Sequence, residues 1–389
     1  MKNVFGMSIV LAVLVSLFTG CPDGTPEQVA APTANPGAGA YAGTQTVTLA
    51  TTTAGADIYY TTDGTTTPSA STGTLYSSAI SVSMGTTLKA IAVKAGMTDS
   101  EVLEAAYIEL SYTLVPIPAG TVTANIGNTG GPFINASTAN VTVSAFKMGE
   151  TEVTYELWYA VKEWAKTNKG YSFANEGREG HNGTVGAVPT SAKQEPVTWV
   201  SWRDTVVWCN AYSEAKGLTP YYYLEGTGDF TDGTKVLRES DTSTITAGNG
   251  KAEKAVSNAS ANGFRLPTEA QWEYAARGGV PSTGTPWTLT YAGTNTAGRN
   301  TGELGDYAWY NAYSGNASHA VKTKAANSAG LYDMSGNVWE WCWDIYSANS
   351  RVLRGGSWKY EAASCVVSNR NYASPGFRGD DTGFRVVCP

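Results

Sequence analysis

Histidine is almost missing from this chain: His181 and His319 are the only two in 389 residues. A His-rich zinc site or a Ser-His-Asp centre therefore has too little to draw on. Charge is also sparse, at 15% of residues, with a formal net charge of −7 and no polybasic tract. That excludes the electrostatic footprint of a nucleic-acid binder, so no nucleic-acid partner is expected. Long apolar runs are missing too. The one candidate, Val4 to Phe18, is too short to span a bilayer comfortably. Five cysteines lack the density of a small disulfide-stapled domain.

What is abundant is glycine (43), together with Thr, Ser and Ala, which implies many turns and a β-leaning architecture. Twelve tryptophans and 22 tyrosines supply apolar area for a large core, and the length suits two domains. Lys2 followed by the Val4–Phe18 run reads as a signal peptide over residues 1–20. It ends Leu17-Phe18-Thr19-Gly20-Cys21, which resembles a bacterial lipobox, so Cys21 is expected to carry the lipid. Several acyl chains on one cysteine would anchor stably. The expected location is the bacterial cell surface, lipid-anchored in the outer membrane, with residues 21–29 as a tether. Cys209, Cys342, Cys365 and Cys388 remain, either paired or as buried thiols.

Residues 30–110 carry strand signals at Val47-Thr48-Leu49, Ile58-Tyr59-Tyr60-Thr61 and Leu88–Val93, with turns at Asp63-Gly64 and Ala95-Gly96. Short strands at this spacing predict a small all-β sandwich. The same words resemble the C-terminal module of chitobiase/β-hexosaminidase enzymes. That resemblance implies an accessory unit: a spacer above the membrane or, more sharply, a weak glycan binder.

The second unit covers residues 111–389. Val115–Gly120 and Val141–Phe146 read as opening strands. Thr154 can cap a helix carrying Leu157, Val161 and Trp164 on one face. Ser201 and Asp204 can cap a second, with Val206 and Cys209 inward and Gly217 ending it. Thr268 and Gln271 form a capping box for a third, closed by Gly278-Gly279. The inserts Asn168–Ser191, Gly226–Asn262 and Gly279–Gly302 read as surface loops.

The final stretch, Arg351 to Pro389, alternates punctuation with mixed small or polar residues. Gly355-Gly356-Ser357-Trp358 opens it, where paired glycines allow close approach or positive φ, and Gly383-Phe384-Arg385-Val386-Val387 closes it with a buried-strand pattern. Cys365, Arg370, Pro375 and Arg378 stand singly between the runs. Such a segment reads as a frame that holds exposed side chains.

Arg265–Tyr274, Gly330–Trp341 and the GGSW/GFRVV frame together resemble the formylglycine-generating enzyme/sulfatase-modifying-factor family. The implied fold is α+β: a C-type-lectin-like domain behind the β module. The interrupted terminal runs resemble the variable lipoproteins diversified by retroelements. That resemblance implies a ligand receptor whose varied positions are Lys359, Tyr360, Glu361, Ala363, Ser364, Asn371, Tyr372, Ala373, Ser374, Gly376, Phe377, Gly379, Asp380 and Asp381. Tyr360, Tyr372 and Phe377 would give apolar contact, and Lys359, Glu361 and Asp380 polar selection. Trp358, Arg370, Arg378 and Phe384 would hold the frame. The expected partner is an unknown protein or glycan.

The family's oxidase chemistry needs two thiolates to hold copper(I). Counted from Ser357, the second falls on Cys365 but the first on Tyr360, so no catalytic residue and no required cofactor are expected. The resemblance also implies a structural calcium on Asn337, the Val338 carbonyl and Glu340; the alternative is that these side chains satisfy buried backbone groups. Arg378-Gly379-Asp380 spells the integrin tripeptide, a weak signal. The competing readings are an oxidase on the same fold and a purely structural surface lipoprotein.

Overall fold

The computed structural model describes residues 26–389 except 42, 124–139, 243–245, 280–289 and 295–300. The expected signal peptide and Cys21 lie outside the described residues.

Alternating side chains build the N-terminal unit from two sheets. One runs in the order Gly39–Tyr41, Leu103–Glu109, Thr86–Val93, Asp57–Thr61, Thr74–Leu75; the other in the order Thr33–Asn35, Gln45–Ala50, Ile80–Val82. In Gln45–Ala50, Val47 and Leu49 are buried and Thr46 and Thr48 exposed, the period of a half-buried strand. Val47 and Leu49 meet Leu88, Ala90 and Tyr107 of the larger sheet in one apolar core. Gly64 and Gly96 take φ of 73° and 83°, as the turn signals require. The tether is shorter than the expected 21–29. Val29 is 2% exposed in this core and Gln28 bridges to Thr98, because an apolar side chain gains about 1.5–3 kcal/mol by burial.

In the second unit, Leu114–Ile117 and Val387–Cys388 flank Phe146–Gly149 in one antiparallel sheet, so the two ends of the domain pair with opposite sides of one strand. Helix α1 (Tyr155–Lys169) starts where the Thr154 hydroxyl accepts the Leu157 N–H and stops at Gly170, φ 66°. Leu157 and Val161 are buried but Trp164 only partly; Trp158 takes the innermost place. Helix α2 (Trp202–Ala215) has the expected Ser201/Asp204 capping box, and α3 (Glu269–Ala276) the Thr268/Gln271 one. Trp158 and Trp208 stack at 6.1 Å, and Phe384 meets both edge-on at 6.0 and 5.3 Å.

A four-stranded sheet divides this core. Its order is Asn371–Ala373, Ser350–Arg354, Trp339–Ser347, Thr382–Gly383, the last pair parallel. Trp339, Trp341 and Leu353 face the α1/α2 core, whereas Cys342 and Val352 face the core beneath α3. All four described cysteines are buried free thiols.

Two inserts read as surface loops are partly internal. Arg178–Glu179 pairs with Val197–Thr198, and Leu237 and Ala252 are 0% exposed. Glu253 forms an ion pair with Arg203 at 2.7 Å. Polar composition concealed these contacts because charge is neutralised across the chain rather than locally.

Buried ion pairs join the sequence words. Arg385 donates to both carboxylate oxygens of Glu340, at 2.7 and 2.6 Å, and both side chains are 0% exposed. Arg385 also donates to the Gly149 and Tyr332 carbonyls, and the Trp272 indole to Glu340. Arg354 bonds Glu273, again with both groups 0% exposed. Removing one partner of such a pair leaves an unpaired buried charge, at a cost of about 3–5 kcal/mol. Arg385→Met should lower the urea unfolding free energy by about that much. Glu340→Leu/Arg385→Met together should lose less than Arg385→Met alone; an equal or greater loss in the double variant would refute this account.

Candidate functional site

The terminal frame is held by close approach. Gly355 and Gly356 take φ of 100° and 80°, and a Cβ on Gly356 would lie 2.6 Å from the Cys365 sulfur. Trp358 is 7% exposed, and its indole donates to the Asp380 carbonyl at 3.3 Å. Arg370 grips both oxygens of Glu269 in the first turn of α3. Phe384 is 0% exposed.

Between these anchors, Lys359, Tyr360, Glu361, Ala363, Tyr372, Ser374 and Phe377 are exposed, and Ser364, Asn371, Ala373, Gly376 and Asp380 half-buried. Gly379 and Asp381 differ from the expectation: both are buried. Asp381 bonds the Ser357 and Thr382 hydroxyls, its carbonyl accepts from Trp339, and burial raises its pKa. A Cβ on Gly379 would lie 2.7 Å from an Asp381 oxygen, so neither position accepts replacement freely.

The three exposed aromatics do not make one patch. Tyr360 meets Trp339 edge-on at 5.9 Å, while Tyr372 stacks on Tyr346 at 4.2 Å. Trp339 and Tyr346 stand near opposite ends of one strand, roughly 20 Å apart at the usual rise, and pack toward different cores. Phe377 borders Gly379 and so belongs with Lys359, Tyr360 and Asp380.

That first group has neighbours the sequence did not reveal. Trp199, in the turn before α2, donates its N–H to the Gly379 carbonyl at 3.0 Å. The guanidinium carbons of Arg178 and Arg378 lie 4.9 and 5.5 Å from its ring centroid. Trp199 has φ 60°, a conformation that costs a bulky residue about 1–3 kcal/mol and persists only when its surroundings enforce it. The His181 ring meets Trp358 at 5.2 Å. No local pattern marks Arg178, His181 or Trp199, since their meeting depends on chain segments far apart. Lys359 pairs with Asp380 at 3.1 Å, a half-exposed pair worth about 0–1 kcal/mol. The integrin-like tripeptide is thus no free loop tip: Arg378 lies on Trp199, Gly379 is buried and Asp380 is tied to Lys359.

Burial pushes the Cys365 thiol up to about 12, leaving it protonated and a poor ligand at neutral pH. Tyr360 stands where a first thiol would have to be. Of the expected calcium ligands, Glu340 accepts from Arg385 at both oxygens. Asn337 accepts from the His319 N–H and donates to Glu152 and the His319 carbonyl, which is the expected alternative of satisfying buried groups. Among the described residues no group of three or more His, Cys, Asp or Glu is arranged to hold a metal ion.

A cleft of about 690 Å³ runs between the two units, lined by Thr86, Thr87 and Ile108 on one side and Glu156, Tyr159 and Lys193 on the other. None of the positions expected to vary lines it.

Comparison with known proteins matches residues 101–389 to the family described as sulfatase-modifying factor enzyme 1-like domain, and residues 36–104 to the chitobiase/beta-hexosaminidase C-terminal domain. The chain is 33% identical over 269 residues to a protein named chaperone protein LppX from Paenibacillus barcinonensis, spanning 64% of this chain and 82% of that one. It is 35% identical over 167 residues to a formylglycine-generating enzyme of Thermomonospora curvata, covering 34% of this chain and 52% of the enzyme. It is 36% identical over 134 residues to the inactive C-alpha-formylglycine-generating enzyme 2 of Bos taurus, covering 32% and 44%. Among solved structures, Treponema denticola variable protein 1 superposes with a TM-score of 0.54 at 33% identity, over 76% of this chain and 97% of that one. CarF does so with a TM-score of 0.56 at 30% identity, over 72% and 99%. The relatives therefore include both an enzyme and a protein named inactive.

Beside Glu340, Asp333 carries one oxygen without a hydrogen-bond partner and takes φ 58°. Burial is the main cause that raises its pKa to about 6, and burial and the Asp333 charge raise that of Glu152. A carboxyl raised in the fold stabilises it at pH values below its unfolded value, about 3.9, and loses that contribution as pH rises through about 6. Asp333→Asn keeps a residue that tolerates positive φ and removes the charge. The variant should match the parent near pH 4 and exceed it by about 2 kcal/mol at pH 7.5, in chelator, with calcium leaving the parent's Tm unchanged. A parent Tm that rises with calcium, or a variant less stable at pH 7.5, would refute the reading.

Proposed function

This chain belongs to the sulfatase-modifying factor enzyme 1-like family, and we propose that within it the protein is a non-enzymatic, lipid-anchored receptor whose varied C-terminal residues contact a protein or glycan ligand. The observation that carries this reading is the separation of exposed from fixed positions. Seven of the fourteen varied positions are exposed and five half-buried, on a segment whose Trp358, Cys365, Pro375 and Phe384 are buried. Exposed side chains change at little cost in stability, usually within about 0.5 kcal/mol. The likeness to a protein named a variable protein agrees with this reading.

Against oxidase activity stand Tyr360 in the place of the first thiol and the raised pKa of Cys365. A two-thiolate copper(I) site cannot be assembled from one protonated cysteine. Cys21 would hold the protein on the outer membrane, facing outward, with the N-terminal sandwich as the spacer that lifts the receptor domain. A second reading follows from the name of the Paenibacillus relative: a chaperone's assistance to the folding of another protein. A client binder of that kind needs a surface that stays the same between isolates, whereas a diversified receptor does not.

Two measurements test the proposal. Replacing Tyr360, Tyr372, Ser374 and Phe377 together should abolish capture of the ligand found in a screen of host and bacterial surface molecules, with Tm almost unaltered. Trp358→Ala or Phe384→Ala should each lower stability by about 3–5 kcal/mol. Substitutions in sibling isolates spread evenly over frame and varied positions would count against the receptor. Cys21→Ser should release the protein from the membrane fraction; unchanged pelleting would remove the anchor.

A further inference from the structure

We propose that Arg178, Trp199 and Arg378 form a fixed cationic pad beside the varied residues, that it takes a carboxylate from an acidic peptide segment, and that Asp380 is its built-in competitor. The inference rests on the receptor reading and names the ligand chemistry for one of its two stations.

The pad is assembled from residues outside the varied set. Both guanidinium groups lie over the Trp199 ring, at 4.9 and 5.5 Å. Arg178 is held in place by donating to the His181 carbonyl and the Thr198 hydroxyl. Arg378 has no carboxylate within ion-pair distance among the described residues. A half-buried guanidinium seated on an aromatic ring and lacking an anion has its donor fork free for a planar, two-oxygen acceptor. Stacking on Trp199 fixes its orientation, so less freedom is lost when a ligand arrives.

What already occupies this surface indicates the ligand. The Asp380 carboxylate lies 3.1 Å from Lys359, and its charge opposes the burial-driven fall in the pKa of Arg178. A side-chain carboxylate of the chain itself therefore pairs with Lys359 and acts electrostatically on Arg178 of the pad. Asp380 is also one of the positions expected to vary. A neutral residue there would free Lys359 and remove the negative charge that acts on Arg178, whereas aspartate keeps an anion of the chain's own beside the pad. One varied position thus sets the charge of a pad whose geometry does not change.

The test titrates labelled poly-L-glutamate against the full chain by fluorescence anisotropy at about 50 mM salt, where screening is weak. Asp380→Asn should bind about fivefold tighter than the parent, and Arg178→Gln or Arg378→Gln about tenfold weaker, with Tm unchanged for the Arg378 variant. Arg378→Lys should recover only part of the loss, because it restores charge without the planar fork. Asp380→Asn binding no tighter than the parent, or Arg378→Gln binding as well as the parent, would overturn the pad. Dextran sulfate bound in preference to polyglutamate would overturn the carboxylate assignment. The receptor reading fails separately. If replacing Tyr360, Tyr372 and Phe377 abolishes capture of a screened ligand while Arg378→Gln leaves that ligand and polyglutamate untouched, the receptor stands and the pad falls. If Arg378→Gln weakens polyglutamate while the triple replacement spares every ligand, the pad stands and the receptor falls.

Discussion

The domain depends on one buried ion pair. Arg385, two residues from the last strand, closes on Glu340 at the start of the central strand, and both are wholly withdrawn from solvent. Such a pair is tolerable only if every remaining donor has an acceptor. Here the Gly149 and Tyr332 carbonyls accept from Arg385, and the Trp272 indole donates to Glu340. Four segments distant in sequence are thereby fixed in one register: the middle strand of the opening sheet, the α3 helix, the Gly330–Trp341 turn and the C-terminus. The second buried pair, Arg354 with Glu273, and the exposed-side clamp of Arg370 on Glu269 extend the same constraint outward.

That constraint separates the parts of the terminal segment that can change from those that cannot. Residues that point into the two cores, such as Phe384 between Trp158 and Trp208, bear the packing energy. Residues such as Lys359, Tyr360 and Phe377 touch the frame on one side only and contribute little to it. The boundary is physical rather than sequential. Asp381 and Gly379 lie among tolerant neighbours yet are internal, because the chain turns inward there to pair Thr382 with Trp339.

The surface that results has two stations. One is aromatic and charged, where Tyr360, Lys359 and Asp380 stand beside the Arg178–Trp199–Arg378 stack; the other is the Tyr372–Tyr346 stack at the far edge of the sheet. Under the proposed receptor reading, a ligand that reaches both would be large, whereas the proposed acidic segment would need only the first. The strained backbone of Trp199 connects the first station to the buried frame, since that conformation aims its N–H at the Gly379 carbonyl.

The sequence by itself determined the elements and the frame. Thr154, Ser201/Asp204 and Thr268/Gln271 start three helices through hydrogen bonds made within three residues, and the alternation at Val47 and Leu49 marks a strand. These are local interactions, so local residues report them. That Tyr360 rather than a cysteine stands three residues after Ser357 was legible for the same reason: it is a matter of which atom is present. Tertiary structure alone decided that the Glu340 carboxylate answers Arg385, that Arg178 and Trp199 join the terminal segment, and that Tyr360 and Tyr372 stand apart. Each of those outcomes rests on charge pairing or ring contact between residues separated along the chain, and no periodicity in one segment records where another will come to lie.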